Sequence, residues 1–236
     1  MIPTGRTGLG RFTVARKRIP EREFGITGDV EPRDYDEMLR YCRDHGWIPI
    51  DRIVKAIPRG HALECGPGPG YIGLEWLKRT ASTQLVGYDI SPDMLAIARE
   101  NARKYGFDGR VQYVEGDVRR LPFADESFDA VFSNDSFHEW SHPVEAFNEI
   151  YRVLKPGGIY HVSDLRRDMS VLLKVLIWVI CHPKSTRPTW LTSIDASYTC
   201  ADINTMLARS VLEHWSVNTN AMRFFIVGHK PARGTD

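Results

Sequence analysis

The chain has 236 residues, of which 42% are hydrophobic and 26% are charged, and its formal net charge is +1. A chain of this length and composition can bury one large hydrophobic core without a second domain. The near-neutral charge argues against nucleic acid as a partner. The four cysteines, at positions 42, 65, 181 and 200, lack the spacing of a metal site. They predict reduced thiols in a cytoplasmic protein with no bound metal.

The amino-terminal segment, residues 1–33, is rich in basic residues and lacks hydrophobic periodicity. Residues 6–22 contain one acidic residue, Glu21. They contain six basic residues: Arg6, Arg11, Arg16, Lys17, Arg18 and Arg22. Such a segment cannot pack by itself, so its composition favours an arm that is flexible or ordered by a partner. The alternatives are a lid or an arm exchanged between subunits, and a targeting or nucleic-acid-binding arm.

A glycine-rich turn follows two short predicted helices, at residues 34–45 and 49–57, and a short apolar run. Glycines at positions 66, 68 and 70 leave no Cβ atoms in the way, so a ligand can approach the backbone closely. The helix predicted after the turn would direct its first N–H groups back toward it and favour negative charge. The spacing Gly68-x-Gly70-x-x-Gly73 also matches a dinucleotide fingerprint, so the turn alone does not define the ligand.

A second buried strand is predicted over residues 84–89, and it ends at Asp89. This acid lies about 20 residues beyond the glycines, where a carboxylate can accept hydrogen bonds from both hydroxyls of a ribose. Ser91 as N-cap and Pro92 at the first helical position predict a helix that extends through Tyr105.

Strands and helices continue to alternate along the chain. Further strands are predicted over residues 111–115, 127–134 and 159–163, with a helix over 143–154 and a turn over 155–158. Two closing strands are predicted over residues 215–220 and 222–229. The alternation predicts an α/β fold: a doubly wound, Rossmann-like, seven-stranded and mostly parallel sheet with an antiparallel last strand.

Five ordered motifs make the chain resemble a known family. They are Glu64-x-Gly66-x-Gly68-x-Gly70, Gly87-Tyr-Asp89-Ile-Ser-Pro-x-Met94-Leu, Gly116-Asp117-Val118, Leu121-Pro-Phe with Ser127-Phe-Asp129, and Arg152-Val-Leu-Lys-Pro-Gly-Gly158. Over residues 45–165 the chain resembles the class I S-adenosylmethionine-dependent methyltransferases, in particular the group of ubiquinone and menaquinone biosynthesis C-methyltransferases. The resemblance implies one methyltransferase domain over residues 34–236, which methylates a small-molecule acceptor and releases S-adenosylhomocysteine. A homodimer is compatible with it.

The resemblance also implies which residues bind S-adenosylmethionine. The loop of Gly66, Gly68 and Gly70 would wrap its methionine and ribose parts, and Asp89 would bind both ribose hydroxyls. Pro67 and Pro69 depart from the family pattern and would stiffen this loop.

Further cofactor contacts are implied on either side of that loop. Asp117 and Val118 would meet the adenine amino group and ring nitrogen, while Ile90 and Met94 would sandwich the ring. Asn134 would lie near the methionine amine. Glu64 would act beneath the site, where it would orient the loop or a water-mediated contact to the amine.

The candidate catalytic residue is His138, which lies just past the fourth predicted strand. In an open parallel sheet the carboxyl ends of the strands face the ligand crevice. A histidine has an ordinary pKa near 6.5 and could remove a proton from the acceptor. The alternative is a histidine that packs beside the cofactor or stabilises its loop.

The resemblance fades beyond the fifth strand, so residues 165–210 are predicted to form a region that caps the substrate. Within it, residues 169–180 are strongly apolar but too short to span a bilayer. A buried helix packed on the sheet is favoured, and the alternatives are a dimer face or substrate wall and a contact with a membrane surface. Residues 181–197 are predicted to be a loop or cap.

Two other functions remain open, because the fold does not fix the chemistry. The first is a different reaction of the same cofactor, such as aminocarboxypropyl transfer. The second is a cofactor-binding subunit without turnover.

Overall fold

The computed structural model describes residues 17–20 and 32–234. Most of the predicted basic arm, residues 1–16 and 21–31, therefore lies outside the described residues. Within the described part of that arm, the Arg18 guanidinium donates hydrogen bonds to the backbone oxygens of Ala196 (2.6 Å) and His138 (2.9 Å). Arg18 also lies 4.3 Å from the centre of the Tyr198 ring. This piece of the arm contacts the body of the protein beside the candidate catalytic residue.

The described residues contain one sheet of seven strands, in the order β3-β2-β1-β4-β5-β7-β6. The strands are β1 (His61–Cys65), β2 (Gln84–Asp89), β3 (Val111–Glu115), β4 (Phe128–Asn134), β5 (Leu154–Leu165), β6 (Ser216–Thr219) and β7 (Arg223–His229). Strand β7 is antiparallel to both of its neighbours, and β1 to β5 pair in parallel. The predicted seven-stranded, mostly parallel fold with an antiparallel last strand is confirmed.

Eight α-helices accompany the sheet in the described part of the chain. They are α1 (Pro32–Asp44), α2 (Ile50–Ala56), α3 (Tyr71–Arg79), α4 (Pro92–Tyr105), α5 (Pro143–Val153), α6 (Val171–Ile180), α7 (Arg187–Ala196) and α8 (Cys200–Leu207). Helix α4 begins as the sequence predicts, because the Ser91 hydroxyl accepts a hydrogen bond from the Met94 N–H and Pro92 occupies the first turn.

Two hydrophobic cores cover the two faces of the sheet. Along β4, Val131 packs into one core, whereas Ala130 and Phe132 pack into the other. Alternate residues of a strand point to opposite faces, so the cores lie on opposite sides. Helices α2, α3 and α4 contribute side chains to the hydrophobic core that contains Ala130. Helices α5 and α8 contribute side chains to the core that contains Val131. With both faces covered, the carboxyl ends of the parallel strands remain open as a crevice.

The region after β5 differs from its prediction in two places. Helix α6 contains no buried residue, so the favoured buried, sheet-packed helix is wrong. The reason is that other helices already cover both sheet faces. Residues 181–197, predicted as a loop or cap, do not form a loop throughout, because they contain α7. Pro188 is compatible with this helix, since it lies in the first turn, where a missing N–H costs nothing.

The predicted turn over residues 155–158 also differs, because it is absorbed into β5. Leu154 pairs with Phe128 and Ile159 pairs with Ala130, so the intervening residues form an irregularity within the strand. No helix among residues 17–20 and 32–234 is long and apolar enough to cross a membrane.

Candidate active site

The glycine turn connects β1 to α3 and packs against the loop that follows β4. Gly66 and Gly68 have φ angles of 70° and 52°, in the left-handed region that favours glycine. A Cβ atom added to Gly66 would lie 2.0 Å from the Ser136 hydroxyl oxygen. A side chain at position 66 would therefore push apart two of the loops that form the crevice.

Asp89 is fixed against this turn at the end of β2. Its carboxylate accepts hydrogen bonds from the N–H groups of Gly68 and Ser91, both at 2.9 Å. Burial raises the pKa of Asp89, and the hydrogen bonds from Ser91 and Gly68 oppose that shift. The carboxylate thus orders the turn and still lines the crevice.

Seven of the predicted cofactor-binding residues line one cavity of about 80 Å³ at this end of the sheet. They are Gly66, Gly68, Asp89, Ile90, Met94, Asp117 and Val118. The loop after β4 closes the opposite side with Ser136, Glu139 and Trp140. The structure therefore brings together predicted cofactor-binding residues that lie up to 52 positions apart, from Gly66 to Val118.

Asp117 is held in place by Arg119. The Arg119 N–H and Nε donate hydrogen bonds to the Asp117 carboxylate, at 2.8 and 2.7 Å. Burial raises the pKa of Asp117, but the hydrogen bonds from Arg119 outweigh that effect and keep it below its ordinary value. Asp117 is therefore an anionic hydrogen-bond acceptor at the edge of the cavity.

Glu64 and Asn134 lie in a smaller adjoining cavity, together with Gly66 and Gly68. The Ser163 hydroxyl donates to the Asn134 side-chain oxygen at 2.8 Å, which fixes the orientation of the amide. Burial raises the pKa of Glu64 to about 8, although the Gly73 N–H donates a hydrogen bond to its carboxyl group. The Glu64 Oε2 atom is buried and has no hydrogen-bond partner among the described residues. The two acids that line this cavity, Glu64 and Asp135, are the groups that a cationic ligand part would meet there.

Gly70 is the predicted cofactor-binding residue that lies outside these cavities. It is the N-cap of α3, with a φ angle of 87°. An added Cβ atom would lie 2.6 Å from the Tyr113 hydroxyl oxygen. Gly70 thus shapes the turn by its backbone and its packing.

His138 forms a hydrogen-bonded pair with Asp164, which lies on β5. The His138 Nδ1 atom is 2.8 Å from Asp164 Oδ2, and the His138 backbone N–H donates to the same oxygen at 2.8 Å. Both side chains are buried, and Leu165 N–H donates to the other carboxylate oxygen at 2.7 Å. The pair fixes the ring, and it leaves Nε2 as the ring nitrogen that Asp164 does not contact.

A second, larger cavity of about 380 Å³ adjoins the first, and His138 lines it. Most of its lining is apolar or aromatic and comes from α1, α6 and α7, including Met38, Leu39, Leu173, Ile177 and Trp190. Tyr35 and Asp135 line both this cavity and the one that contains Asp89. The two cavities therefore meet at Tyr35 and Asp135.

Sequence analysis missed Tyr35 and Asp164, and it assigned no role to Asp135, which lies three residues before His138 in the segment after β4. Burial, followed by the charges of Glu139, Asp135, Asp164 and Asp89, raises the pKa of Tyr35 well above its ordinary value. Asp164 could have been found, because an acid at the end of a parallel strand is the same signal that identified Asp89.

Asp135 lies between the cavities as one half of an ion pair with Arg223 on β7. The Arg223 Nη2 atom donates to Asp135 Oδ2 at 2.7 Å, and Nη1 contacts the other oxygen. Asn134 Nδ2 also donates to Asp135 Oδ2, at 3.0 Å. The pair connects β7, the last strand in the chain, to the junction of the cavities. Because both charges are hydrogen-bonded, the Asp135 side chain is held in place there.

The residues present fit S-adenosylmethionine. The glycine turn offers close backbone approach, Asp89 offers a carboxylate for hydroxyl groups, and the acids of the adjoining cavity, Glu64 and Asp135, suit an ammonium group. Ile90 and Met94 offer apolar surface for a flat ring. Among residues 17–20 and 32–234, no cluster of three or more His, Cys, Asp or Glu residues could hold a metal ion.

Comparisons with known proteins agree with this geometry. A family model described as "Methyltransferase domain" matches residues 63–162. A demethylmenaquinone methyltransferase of Protochlamydia amoebophila is 31% identical over 176 residues, which cover 70% of this chain and 72% of the relative. The demethylmenaquinone methyltransferase of Thermus thermophilus is 35% identical over 135 residues, 55% of this chain and 60% of the relative.

The fold has close structural neighbours at low sequence identity. The crystal structure of an S-adenosylmethionine-dependent methyltransferase from Aquifex aeolicus superposes with a TM-score of 0.67 at 17% identity, and it covers 84% of this chain and 98% of the neighbour. With the family model, the curated relatives and the site geometry in agreement, the chain belongs to the class I S-adenosylmethionine-dependent methyltransferases and resembles their ubiquinone and menaquinone C-methyltransferases.

Proposed function

We propose that this methyltransferase acts on a flat, ring-containing acceptor with apolar substituents, of the quinol type, and that His138 removes the proton that the acceptor loses. The observation that carries the proposal is the junction at Tyr35 and Asp135 between the Asp89 cavity and the apolar cavity. A methyl donor in the first cavity and an acceptor in the second would meet at this junction.

The size and lining of the apolar cavity support the acceptor class. A cavity of about 380 Å³ lies within the range of small-molecule sites. Trp47, Trp190 and Tyr41 offer aromatic surface, and Leu173 and Ile177 offer aliphatic surface. The names of the curated relatives in Protochlamydia and Thermus, both demethylmenaquinone methyltransferases, point to the same class.

The residues of the first cavity would hold the cofactor as the sequence predicts. Asp89 would accept from the ribose hydroxyls, and Asp117 and Val118 would face the adenine edge between Ile90 and Met94. When bound, S-adenosylmethionine supplies a methyl group on a positively charged sulfur. The chain's task is to align that group with the acceptor and to exclude water.

The Glu64 and Asn134 cavity would receive the methionine part. The Glu64 carboxylate would pair with the ammonium group, and the Asn134 amide, oriented by Ser163, would supply a further polar contact. Both residues lie next to Gly66 and Gly68, so the methionine and ribose parts would be held by neighbouring atoms of the same turn.

The His138–Asp164 pair supports the proton-removal step. Asp164 accepts from Nδ1, which directs the proton-accepting role to Nε2 and stabilises the charge that forms when the ring takes a proton. His138 lines the acceptor cavity, so the base would lie beside the acceptor.

The test is turnover with methyl-labelled S-adenosylmethionine and a short-chain demethylmenaquinol, compared with a polar acceptor such as glycine. Labelled product with S-adenosylhomocysteine, formed only with the apolar acceptor, supports the proposal. Methylthioadenosine would indicate aminocarboxypropyl transfer instead. Cofactor binding without turnover across an acceptor panel would indicate a non-catalytic subunit.

A variant pair tests the acceptor cavity separately. Ile177→Asn should lower kcat/KM for the apolar acceptor at least tenfold and leave cofactor affinity unchanged, because Ile177 lines only the larger cavity. Val211→Asn is the control, since this residue is 50% exposed and lies outside both cavities. Equal effects of the two variants would contradict the acceptor assignment.

We also propose a cytoplasmic location and no nucleic-acid partner. The free state of all four cysteines supports the location. The near-zero net charge supports the absence of a nucleic-acid partner.

A further inference from the structure

Helix α6 exposes an apolar outer face. Val171 and Leu172 are 74% and 81% exposed, and Val175 and Val179 are 54% and 57% exposed. Exposed apolar residues are ordinary when they are scattered, but four on one ten-residue helix form a contiguous patch. In water this surface is unfavourable, so a partner that removes it from water would stabilise the protein.

The inner face of the same helix has a different role. Leu173, Ile177 and Ile180 line the apolar cavity, whereas Val171, Leu172, Val175 and Val179 do not. The outer face can therefore be changed without altering the cavity wall directly.

The charges around α6 identify the class of partner. Residues 169–194 contain no aspartate or glutamate, but they contain Lys174, Lys184 and Arg187. Lys184 is exposed in the 3-10 turn Lys184–Thr186, four residues beyond the end of α6. The Arg187 guanidinium lies 4.2 Å from the centre of the Trp178 ring and donates to the Val179 backbone oxygen at 3.0 Å. The nearby acid Glu37 contacts His182 at 3.0 Å, and Asp168 pairs with Arg166. An apolar face with a basic border fits a surface that is apolar inside and anionic at its edge.

We propose that α6 docks the protein onto the surface of a lipid bilayer that contains anionic headgroups. A helix of ten residues is about 15 Å long, so it would lie in the interface and not cross it. Its outer valines and leucine would enter the boundary of the acyl chains, and Trp178, which is 42% exposed, would sit at headgroup level. Lys184 and Arg187 would contact the headgroup phosphates.

Docking in this orientation would place the apolar cavity next to the acyl chains, because the inner face of α6 is a wall of that cavity. An acceptor dissolved in the bilayer would then reach the site through or beside α6. This consequence rests on the proposed function, whereas the docking itself does not.

The test is flotation of the full chain with vesicles of phosphatidylcholine alone and of phosphatidylcholine with phosphatidylglycerol. We expect binding to the anionic vesicles and at least tenfold weaker binding to the neutral ones. The double variant Leu172→Glu with Val179→Glu should lose at least tenfold of the binding, while cofactor affinity and the melting temperature are retained. Val211→Glu, at another exposed apolar residue, is the matched control and should bind like the parent chain.

Three results would overturn the proposal. The first is absence of binding to either type of vesicle. The second is that the double variant binds vesicles as well as the parent chain does. Vesicle binding would then be assigned to the basic amino-terminal segment. The third is a dimer in light scattering that the double variant converts to a monomer, which would make a second copy the partner of α6. Failure of quinol methylation with intact vesicle binding would contradict the proposed acceptor and leave the docking supported.

Discussion

The imidazole Nδ1 of His138 lies 2.8 Å from Oδ2 of Asp164, and the His138 backbone N–H reaches the same oxygen at the same distance. A carboxylate that holds both the ring and the backbone of a histidine restricts it to one orientation. The 3-10 turn at Phe137–Glu139 and strand β5 are thereby connected at the wall of the apolar cavity. This arrangement is typical of a histidine that accepts a proton, and it can be tested by substitution.

His138→Gln should lower kcat by about 100-fold or more and keep cofactor affinity within about threefold, because glutamine cannot take up the proton. Any rate inflection near neutral pH should disappear. The measurements are turnover across pH 5–9 and calorimetric titration with the cofactor. His229→Gln, at an exposed histidine on β7, is the control and should leave both unchanged. Parallel loss of affinity and turnover, with an unaltered pH profile, would instead assign His138 to packing.

Asp164→Asn tests the role of Asp164 in positioning and charging His138 while the proposed base, His138, is kept. The amide oxygen can still accept from one of the two backbone N–H groups, His138 N–H or Leu165 N–H, but the amide carries no charge to stabilise a protonated ring. We expect kcat to fall at least tenfold and the rate inflection to move to lower pH, with cofactor affinity retained. A variant with the parent pH profile would exclude a role of Asp164 in catalysis.

Asp89→Ala should weaken cofactor binding at least 100-fold. It removes the proposed acceptor of two ribose hydroxyl hydrogen bonds, each worth about 1.5–3 kcal/mol to a charged group. It also removes the acceptor of the Gly68 and Ser91 N–H groups, so the turn itself should loosen. Calorimetric titration with the cofactor measures the loss of affinity. Asp93→Ala is the control, because Asp93 is an exposed acid in the first turn of α4 and its removal should leave the affinity unchanged. An unchanged dissociation constant would contradict the ribose assignment.

The parts of this site that the sequence predicts are those determined by local signals. The turn at Gly66, Gly68 and Gly70 and the acid at the end of β2 follow from backbone conformation and strand spacing over about 25 residues. These signals put Gly66, Gly68 and Asp89 in the lining of one cavity.

The parts that sequence analysis missed depend on contacts between distant segments. The family resemblance implies that the two leading helices cover one edge of the cofactor pocket, but nothing in the sequence around Tyr35 identifies this residue as the one that lines the junction of both cavities. The prediction that α6 is a buried helix was wrong for a related reason. Its composition matches a buried helix, but whether a sheet face is available for it depends on where α2, α5 and α8 pack.

Gly66→Ala tests the turn by steric contact. An added Cβ would lie 2.0 Å from the Ser136 Oγ and 2.4 Å from its Cβ, at a φ angle of +70°. We expect a lower melting temperature and at least tenfold weaker cofactor binding. The second substitution Ser136→Gly should restore part of the loss, because it removes the steric clash. The left-handed backbone still costs about 1 kcal/mol, and the buried Trp140 Nε1–H loses its acceptor, the Ser136 hydroxyl.

The control for Gly66 is Gly109→Ala, where an added Cβ meets nothing within 4 Å. It should leave affinity and melting temperature unchanged. Equal cofactor binding by Gly66→Ala and the parent chain would mean that the two loops move apart freely.

Glu64 should make cofactor binding depend on pH. Burial raises the pKa of Glu64 to about 8 from an ordinary 4.5, so the free protein carries a largely protonated carboxyl group at pH 7. In the unfolded chain the same group ionises near its ordinary pKa. The free protein therefore loses stability as the pH rises from about 4.5 to about 8, and Glu64→Gln should remove that part of the dependence.

An ammonium group beside Glu64 favours the ionised form, so binding of the cofactor should release a proton below pH 8. Affinity should then fall by up to about tenfold for each pH unit between 8 and 6, as linkage requires for one proton. Titration calorimetry in two buffers of different ionisation enthalpy measures the released proton directly. Glu64→Gln should bind more weakly at pH 8, with no proton release and little change down to pH 6. If the parent chain binds equally at pH 6 and pH 8, Glu64 does not face the ammonium group, and its unsatisfied oxygen serves only the packing of the turn.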